Sequence, residues 1–220
     1  MPNLDIDLTK KRIFIWVPGT MGHEPHPAFV DAVNMVVGEE DAQILYVEYM
    51  ATWDMEKSVP DGVRAFRELV EDIRWKIDYS TQEIYVGGSS QGSWVISEAY
   101  EDLEMKNFAH KTVLFGHPGL AKDHDHKYDE GDTILEFNHP DDAVTFGWKE
   151  DRAKMVSDFS RAQHGNLGAI MRVLWLGIRH PIRLVRFMYL IMVHAGILTW
   201  NTSPHDYSQQ MPLAVYWLIH

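Results

Sequence analysis

Cysteine is absent from this chain of 220 residues, which excludes a disulfide framework, a zinc–thiolate site and a catalytic thiol. The longest uncharged apolar run, 187–200, is shorter than the length that predicts a transmembrane helix. Positive charge is scarce, with 20 Lys and Arg against 32 Asp and Glu and a formal net charge of −12. Such an acidic balance disfavours nucleic-acid binding. Residues 1–7 lack the basic and apolar regions of a secretory signal peptide, so none is predicted.

The composition is that of a globular protein, with 45% hydrophobic and 24% charged residues. The length predicts a single domain, 1–220, with a sizeable core. Short apolar runs typical of buried strands alternate with segments of helical periodicity. The predicted strands are 13–17, 43–49, 83–86, 111–116 and 133–137, and the predicted helices are 27–37, 59–77, 94–100 and 213–218. This alternation predicts a three-layer α/β sandwich around a central, mostly parallel sheet.

The pattern changes after about residue 150. Residues 165–200 contain no clear strand and are rich in Leu, Ile, Met, Trp and Arg. They are predicted to form a helical cap or linker insertion, which Gly177 and Pro181 are expected to break into short helices.

The most specific motif is Gly88-x-Ser90-x-Gly92, which lies between a predicted strand and a predicted helix. Strand, G-x-S-x-G, helix is the setting of a nucleophile elbow, in which a sharp turn presents the serine hydroxyl above the sheet. The flanking glycines are needed because side chains would clash in so tight a turn. The motif therefore predicts an α/β-hydrolase fold with Ser90 as the nucleophile.

A serine nucleophile needs a histidine base and a carboxylate that orients it, and in this fold class the chain order is Ser, Asp or Glu, His. The segment 138–142 directly follows the fifth predicted strand, and its Asp141 and Asp142 are the candidate acids. His205 lies in a loop just before the last predicted helix, after the insertion, and is the favoured base. His164 is an alternative base. A triad of this kind needs neither metal nor cofactor.

Two donors should stabilise the oxyanion that forms on the substrate carbonyl. The backbone N–H of Gln91, the residue after the nucleophile, is one candidate. The other is Thr20, in the loop after the first strand, through its N–H and its hydroxyl.

Two histidine clusters have a metal-binding alternative. His124-Asp125-His126, preceded by Asp123, and the pair His23 and His26 contain suitable ligand types. Neither has the i, i+4 spacing of a helical zinc site, so solvated loops are the preferred interpretation and no metal site is predicted.

Several short motifs occur in an order that resembles cutinase-like serine esterases. They are Val17-Pro18-Gly19-Thr20, Tyr49-x-Ala51-Thr52, Ser58-Val59-x-x-Gly62-Val63, Gly88-x-Ser90-Gln91-Gly92, Phe115-Gly116-x-Pro118, the Asp142 loop and Pro204-His205-x-Tyr207. The resemblance spans about 11–217. Within these esterases the Pro-His-x-Tyr ending after a helical insertion is most similar to the lysin B type, the mycolylarabinogalactan esterases of phages that infect mycolic-acid bacteria.

The resemblance implies a Ser90, Asp142, His205 triad, with Asp142 preferred over Asp141. It implies an esterase acting on lipid esters or glycolipids of the mycolic-acid envelope, of the mycolyl-arabinogalactan type. Such a phage protein would be made in the host cytoplasm and act at the envelope during lysis. The alternatives are a virion-associated esterase used at host entry and a catalytically idle cutinase-fold structural or adhesion module.

Substrate contacts are expected beside the nucleophile and in the insertion. Ser89 stands where relatives usually carry an aromatic residue, and Phe187 and Tyr189 belong to the apolar part of the insertion. The insertion is expected to form a cap beside the cleft and to contact lipid at an interface. Its apolar faces would contact acyl chains and its arginines would contact anionic groups. The alternative is that its apolar residues only pack onto the sheet.

Overall fold

The computed structural model describes residues 6–117, 133–138, 152–182, 185 and 206–220. Its strands are β1 (Arg12–Val17), β2 (Ala42–Tyr46), β3 (Glu83–Ser89), β4 (Lys111–Phe115) and β5 (Ile134–Phe137). Its helices are α1 (Pro27–Val36), α2 (Met55–Arg74), α3 (Gln91–Ala99), α4 (Leu103–Lys106), α5 (Arg152–Gln163), α6 (Leu167–Arg179) and α7 (Met211–Ile219). These strands form a single sheet in the order β2-β1-β3-β4-β5, and each pairing is parallel.

The continuous apolar sequence of β1 reflects burial on both faces of the sheet. Successive side chains of a strand point to opposite faces. Ile13 and Ile15 join a core that includes residues of α2 and α3, such as Phe66 and Val95. Phe14 and Trp16 join a second core with residues of α1 and α7. Helices cover both faces, as parallel sheets require, and the predicted three-layer α/β architecture is confirmed.

Parallel pairing brings the carboxyl ends of the strands to one edge of the sheet, where ligands of open α/β sheets bind. The loop after β1 and Ser90 after β3 both lie at this edge. Ser90 N–H donates to Phe115 O at the end of β4, and Gly116 N–H donates to Phe137 O at the end of β5. The segments that follow four strands therefore start side by side.

Helices α5 and α6 form a packed pair that is fixed to the start of α2. The Arg161 guanidinium of α5 donates to both carboxylate oxygens of Asp54, at 2.7 and 3.0 Å, and to Glu56 at 2.6 Å. The Arg172 guanidinium of α6 donates to Asp158 of α5 at 2.6 and 2.8 Å. These charge-assisted hydrogen bonds join the helical region after β5 to the segment just before α2.

The bounds of α6 correct part of the sequence prediction. Asn166 caps its first turn, with Oδ1 accepting from Ala169 N–H at 3.0 Å. Gly177 was expected to break the helix but lies inside α6, and this expectation is wrong because packing against α5 outweighs the modest helix cost of glycine. The helix ends at Arg179, before Pro181, which disfavours helix in the residue that precedes it. No helix within the described ranges is long and apolar enough to cross a bilayer.

Candidate active site

Ser90 occupies a strained turn between the last residue of β3 and the first residue of α3. Its backbone has φ 53° and ψ −119°, a region that non-glycine residues rarely adopt. Its N–H donates to Phe115 O at 2.8 Å, and its hydroxyl makes no capping hydrogen bond to α3. Such strain persists only where the surroundings enforce it, and it concentrates at functional sites. The sharp turn between strand and helix that the motif predicts is thus present at Ser90, and its role as nucleophile stays a prediction.

The glycines of the motif allow close packing on two sides, Gly92 against the end of β1 and Gly88 against α3. A Cβ added at Gly92 would lie 2.0 Å from Val17 O and 2.7 Å from Pro18 O, both backbone atoms. A Cβ added at Gly88 would lie 2.6 Å from Ile96 Cδ1 and 3.0 Å from the carbonyl carbon of Gly92. The glycine at each position is therefore required by close approach of the chain, as the sequence predicted.

The loop at 18–22 forms a tight turn beside the elbow. Gly22 N–H donates to Gly19 O at 2.9 Å, and Met21 has the left-handed φ of 64°. Met21 N–H donates to Ala51 O at 2.5 Å, which connects the turn to the segment after β2. Thr20 lies within this turn, so its backbone orientation is set by contacts on both sides.

A tyrosine also holds this loop. The hydroxyl of Tyr49 donates to Pro18 O at 2.6 Å. Burial raises the pKa of Tyr49 well above its usual range, so the hydroxyl stays protonated and remains a donor.

The Gln91 side chain is buried and anchors the start of α3 to the same segment. Its Nε2 donates to Ser58 Oγ at 2.6 Å and to Thr52 O at 3.3 Å. Ser58 Oγ in turn donates to Met50 O at 2.7 Å and accepts from Thr52 N–H at 3.1 Å. The Gln91 N–H belongs to the first turn of α3, whose N–H groups have no partner within the helix. The network therefore fixes the residue that carries one candidate oxyanion donor.

Tyr49 and Ser58 are two residues of the candidate site that the sequence alone did not single out. Both lie in motifs that pointed to the esterase resemblance, Tyr49-x-Ala51-Thr52 and Ser58-Val59-x-x-Gly62-Val63. Their recurrence was the available signal, but their partners lie 31 and 33 residues away in the chain. Only the folded structure shows that Tyr49 bonds the loop that carries Thr20 and that Ser58 bonds the side chain of Gln91.

A cavity of about 380 Å³ opens at this edge of the sheet, beside Ser90 and Thr20. Its volume lies within the range of ordinary small-molecule sites. The rest of its wall includes Trp16, Ser89, His26, Tyr207 and Met211. The predicted nucleophile, one candidate oxyanion residue and one predicted substrate contact thus share one cavity.

His26 lines this cavity but serves as the N-cap of α1. Its Nδ1 accepts a hydrogen bond from Ala28 N–H at 3.3 Å, so this nitrogen carries no proton. Burial lowers the pKa of His26, an effect that the nearby Asp206 carboxylate partly opposes. The lone pair of His26 Nδ1 is therefore used by the helix N-terminus and not by a metal ion. His23, three residues earlier, is exposed. Among the described residues, no three His, Asp or Glu side chains are grouped as metal ligands.

Comparison with known families decides the assignment. The sequence model of the cutinase family matches residues 16–155, which is more than half of the chain. The chain belongs to the cutinase family.

Two solved structures share the fold of this cutinase-family chain. Lysin B from Mycobacteriophage D29 superposes with a TM-score of 0.64 at 15% identity, covering 96% of this chain and 100% of that one. A Trichoderma reesei cutinase in complex with a phosphonate inhibitor gives a TM-score of 0.54 at 15% identity, covering 97% and 77%. Comparison with curated protein sequences finds no match.

The other predicted site residues of this cutinase-family protein lie outside the described residues. They are Asp141, Asp142, His205, Phe187, Tyr189, Asp123 and the cluster His124, Asp125 and His126. Two described residues are close to these positions in the sequence. Phe137, four residues before Asp141, is the last residue of β5, and Tyr207, two residues after His205, lines the cavity beside Ser90.

The alternative base, His164, lies among the described residues. His164 is exposed at the end of α5, where its Nδ1 is hydrogen-bonded to Ser160 O at 2.8 Å. It is not among the residues that line the cavity at Ser90.

Proposed function

We propose that this protein is a serine esterase that hydrolyses lipid esters of the mycolic-acid envelope, of the mycolyl-arabinogalactan type, and aids host lysis by a phage. The observation that carries the catalytic part is the strained backbone of Ser90, whose residue lines the cavity. The family membership supports ester hydrolysis. The resemblance to lysin B, strengthened by the full-length fold match, supports the substrate class.

The proposed reaction begins with attack of Ser90 Oγ on the acyl carbonyl. His205 accepts the hydroxyl proton, and Asp142 orients and stabilises the resulting imidazolium. The backbone N–H groups of Gln91 and Thr20 stabilise the oxyanion of the tetrahedral intermediate. Collapse breaks the ester bond, and the leaving sugar alkoxide takes the proton from His205.

The second half-reaction releases the acid. Water attacks the acyl-Ser90 ester while His205 accepts one of its protons. The intermediate collapses, Ser90 Oγ recovers the proton, and the free fatty acid leaves. Each proton that His205 accepts is returned within the same half-reaction, so the enzyme needs no other reagent than water.

Ser90 and the neighbouring turn are suited to this role. The Ser90 hydroxyl does not cap α3. The turn that contains Thr20 is hydrogen-bonded to Ala51 and Tyr49. Donors held in place before the reaction stabilise developing charge without a reorganisation cost. These features favour a catalytic protein over an idle module of the same fold.

Labelling with a fluorophosphonate probe tests the nucleophile. The wild-type protein should gain one covalent adduct at Ser90, and Ser90→Ala should gain none. Ser89→Ala is the matched control and should be labelled. Ser90→Ala should also lower ester hydrolysis by about 10³-fold or more. Absence of labelling in the wild-type protein, or labelling lost only in Ser89→Ala, would contradict the proposal.

A substrate panel tests the envelope assignment separately. It should compare p-nitrophenyl esters of increasing chain length with purified mycolyl-arabinogalactan, measuring release of nitrophenol and of free mycolic acid. Release of mycolic acid by the wild-type protein but not by Ser90→Ala is the expected result. Hydrolysis of the nitrophenyl esters without release of mycolic acid would support the proposed esterase activity and contradict the proposed substrate class.

A further inference from the structure

The outward face of α6 is apolar although it is exposed. Five large side chains on it each expose more than half of their surface, with Ile178 at 81% and Leu167 at 72%. At about 100° per residue they fall within roughly 100° of the helix circumference. The set, named here the α6 stripe, is Leu167, Met171, Leu174, Trp175 and Ile178.

The opposite face of α6 already provides the packing that holds the helix. Ala169 is fully buried, and Arg172 is ion-paired with Asp158 of α5. A surface helix normally carries polar residues on the face that it turns away from its core. An exposed apolar stripe on a helix that is already anchored is typical of an interaction surface.

The charge of the surrounding sequence limits what can bind there. Between Asp158 and Asp206 the chain has no acidic residue and has five arginines, although its formal net charge is −12. Arg161 and Arg172 are paired with carboxylates. The exposed Arg179 instead lies over the Trp175 ring, with its Cζ 4.3 Å from the ring centroid.

We infer that the α6 stripe is a docking surface for an anionic lipid layer. An apolar helix face bordered by basic residues and an aromatic ring is the usual arrangement of an interfacial helix, whose ring lies at headgroup level. Arg179 would meet the anionic headgroups while Leu174 and Ile178 enter the acyl region.

Vesicle co-sedimentation of the full chain tests this surface without requiring ester hydrolysis, so its result is independent of the proposed esterase activity. The protein should bind vesicles of phosphatidylcholine with 30% phosphatidylglycerol. It should bind phosphatidylcholine vesicles at least about tenfold more weakly, and salt should weaken the anionic binding.

Single substitutions locate the surface. Ile178→Glu should weaken binding to anionic vesicles by about tenfold or more, and Arg179→Gln should weaken it about fivefold. Met35→Glu is the matched control, because Met35 is 75% exposed and belongs to α1, which covers the opposite face of the sheet. Met35→Glu should bind as the wild-type protein does.

Four results on binding and assembly would overturn the inference. They are no binding to anionic vesicles, equal binding to both vesicle types, unchanged binding by Ile178→Glu, and a lipid-free dimer that Ile178→Glu converts to monomer. Thermal unfolding of each variant completes the test. A Tm of Ile178→Glu far below that of Met35→Glu would show that Ile178 is covered in the folded chain, which would also overturn it.

Discussion

The Tyr49 hydroxyl donates a 2.6 Å hydrogen bond to Pro18 O and so joins the segment after β2 to the turn that carries Thr20. Pro18 itself is buried. Removing the Tyr49 hydroxyl would leave the Pro18 carbonyl without this donor and would allow the turn to move. Tyr49 is therefore a positioning residue for the proposed oxyanion site.

Tyr49→Phe should lower kcat by about tenfold, which corresponds to the loss of one hydrogen bond that holds an oxyanion donor. The KM for a small soluble ester should change little, because the cavity wall stays in place. Steady-state kinetics with p-nitrophenyl acetate measure both. Tyr46→Phe is the control, because the Tyr46 hydroxyl donates to the exposed Glu48 carboxylate at 3.2 Å and is not among the residues that line the cavity. An unchanged kcat, or a change confined to KM, would contradict the positioning role.

Gly92→Ala should destabilise the protein by more than about 3 kcal/mol, since its Cβ would meet two backbone oxygens that a strand end holds in place. Gly38→Ala is the matched control. A Cβ at Gly38 meets nothing within 4 Å, but its φ of 92° makes alanine cost about 1–2 kcal/mol. Urea unfolding gives both values. Equal losses of stability in the two variants would mean that close packing is not the reason why residue 92 must be glycine.

The fold and the elbow could be predicted because their signals are local. The apolar run at 13–17 is continuous because both faces of β1 are buried. The turn at Ser90 needs a glycine two residues before and two residues after it, so its signal lies within five residues. The start of α2 was predicted four residues late because its first turn is polar. It begins at Met55, and Asp54 and Glu56 there bind Arg161.

The remaining features depend on contacts between distant parts of the chain. The hydrogen bonds from Tyr49 to Pro18 and from Gln91 to Ser58 join residues that are far apart in the chain, so no local sequence pattern predicts them. The continuity of α6 through Gly177 is decided by its packing on α5. The assignments of Asp142 and His205 rest on chain order and resemblance, and they stay predictions.

Asp142→Asn should reduce ester hydrolysis far more than Asp141→Asn. The acid must accept the imidazole N–H of His205, and an amide would favour the wrong tautomer, a change that lowers kcat by about 10⁴-fold in a Ser-His-Asp protease. Steady-state kinetics on a soluble ester compare the two variants. Equal and mild effects would place the acid elsewhere, at Asp123 or Asp125.

His205→Ala should be as damaging as Ser90→Ala, and the double variant should be little worse than either alone. Members of a triad act as a unit, so their losses do not add. His164→Ala is the control and should keep most activity, because His164 is exposed at the end of α5. Losses that multiply in the double variant would contradict a shared role.

His26 should make the stability of the protein depend on pH. Its Nδ1 accepts from Ala28 N–H, and a protonated imidazole could not keep this cap and would place a cation at the N-terminus of α1. Burial lowers the pKa of His26 in the folded state, so at mildly acidic pH the unfolded state binds more protons. The stabilisation is therefore complete above the unfolded value of about 6.5 and is lost as the pH falls toward the folded pKa.

His26→Asn should remove this contribution to the pH dependence. Asparagine accepts the same capping hydrogen bond and does not titrate. Urea unfolding at pH 5 to 8 should show the variant gaining stability relative to the wild-type protein as the pH falls below about 6.5. His23→Asn, three residues earlier and exposed, is the control and should follow the wild-type curve. If His26→Asn and the wild-type protein lose stability in parallel, the cap does not depend on a neutral imidazole.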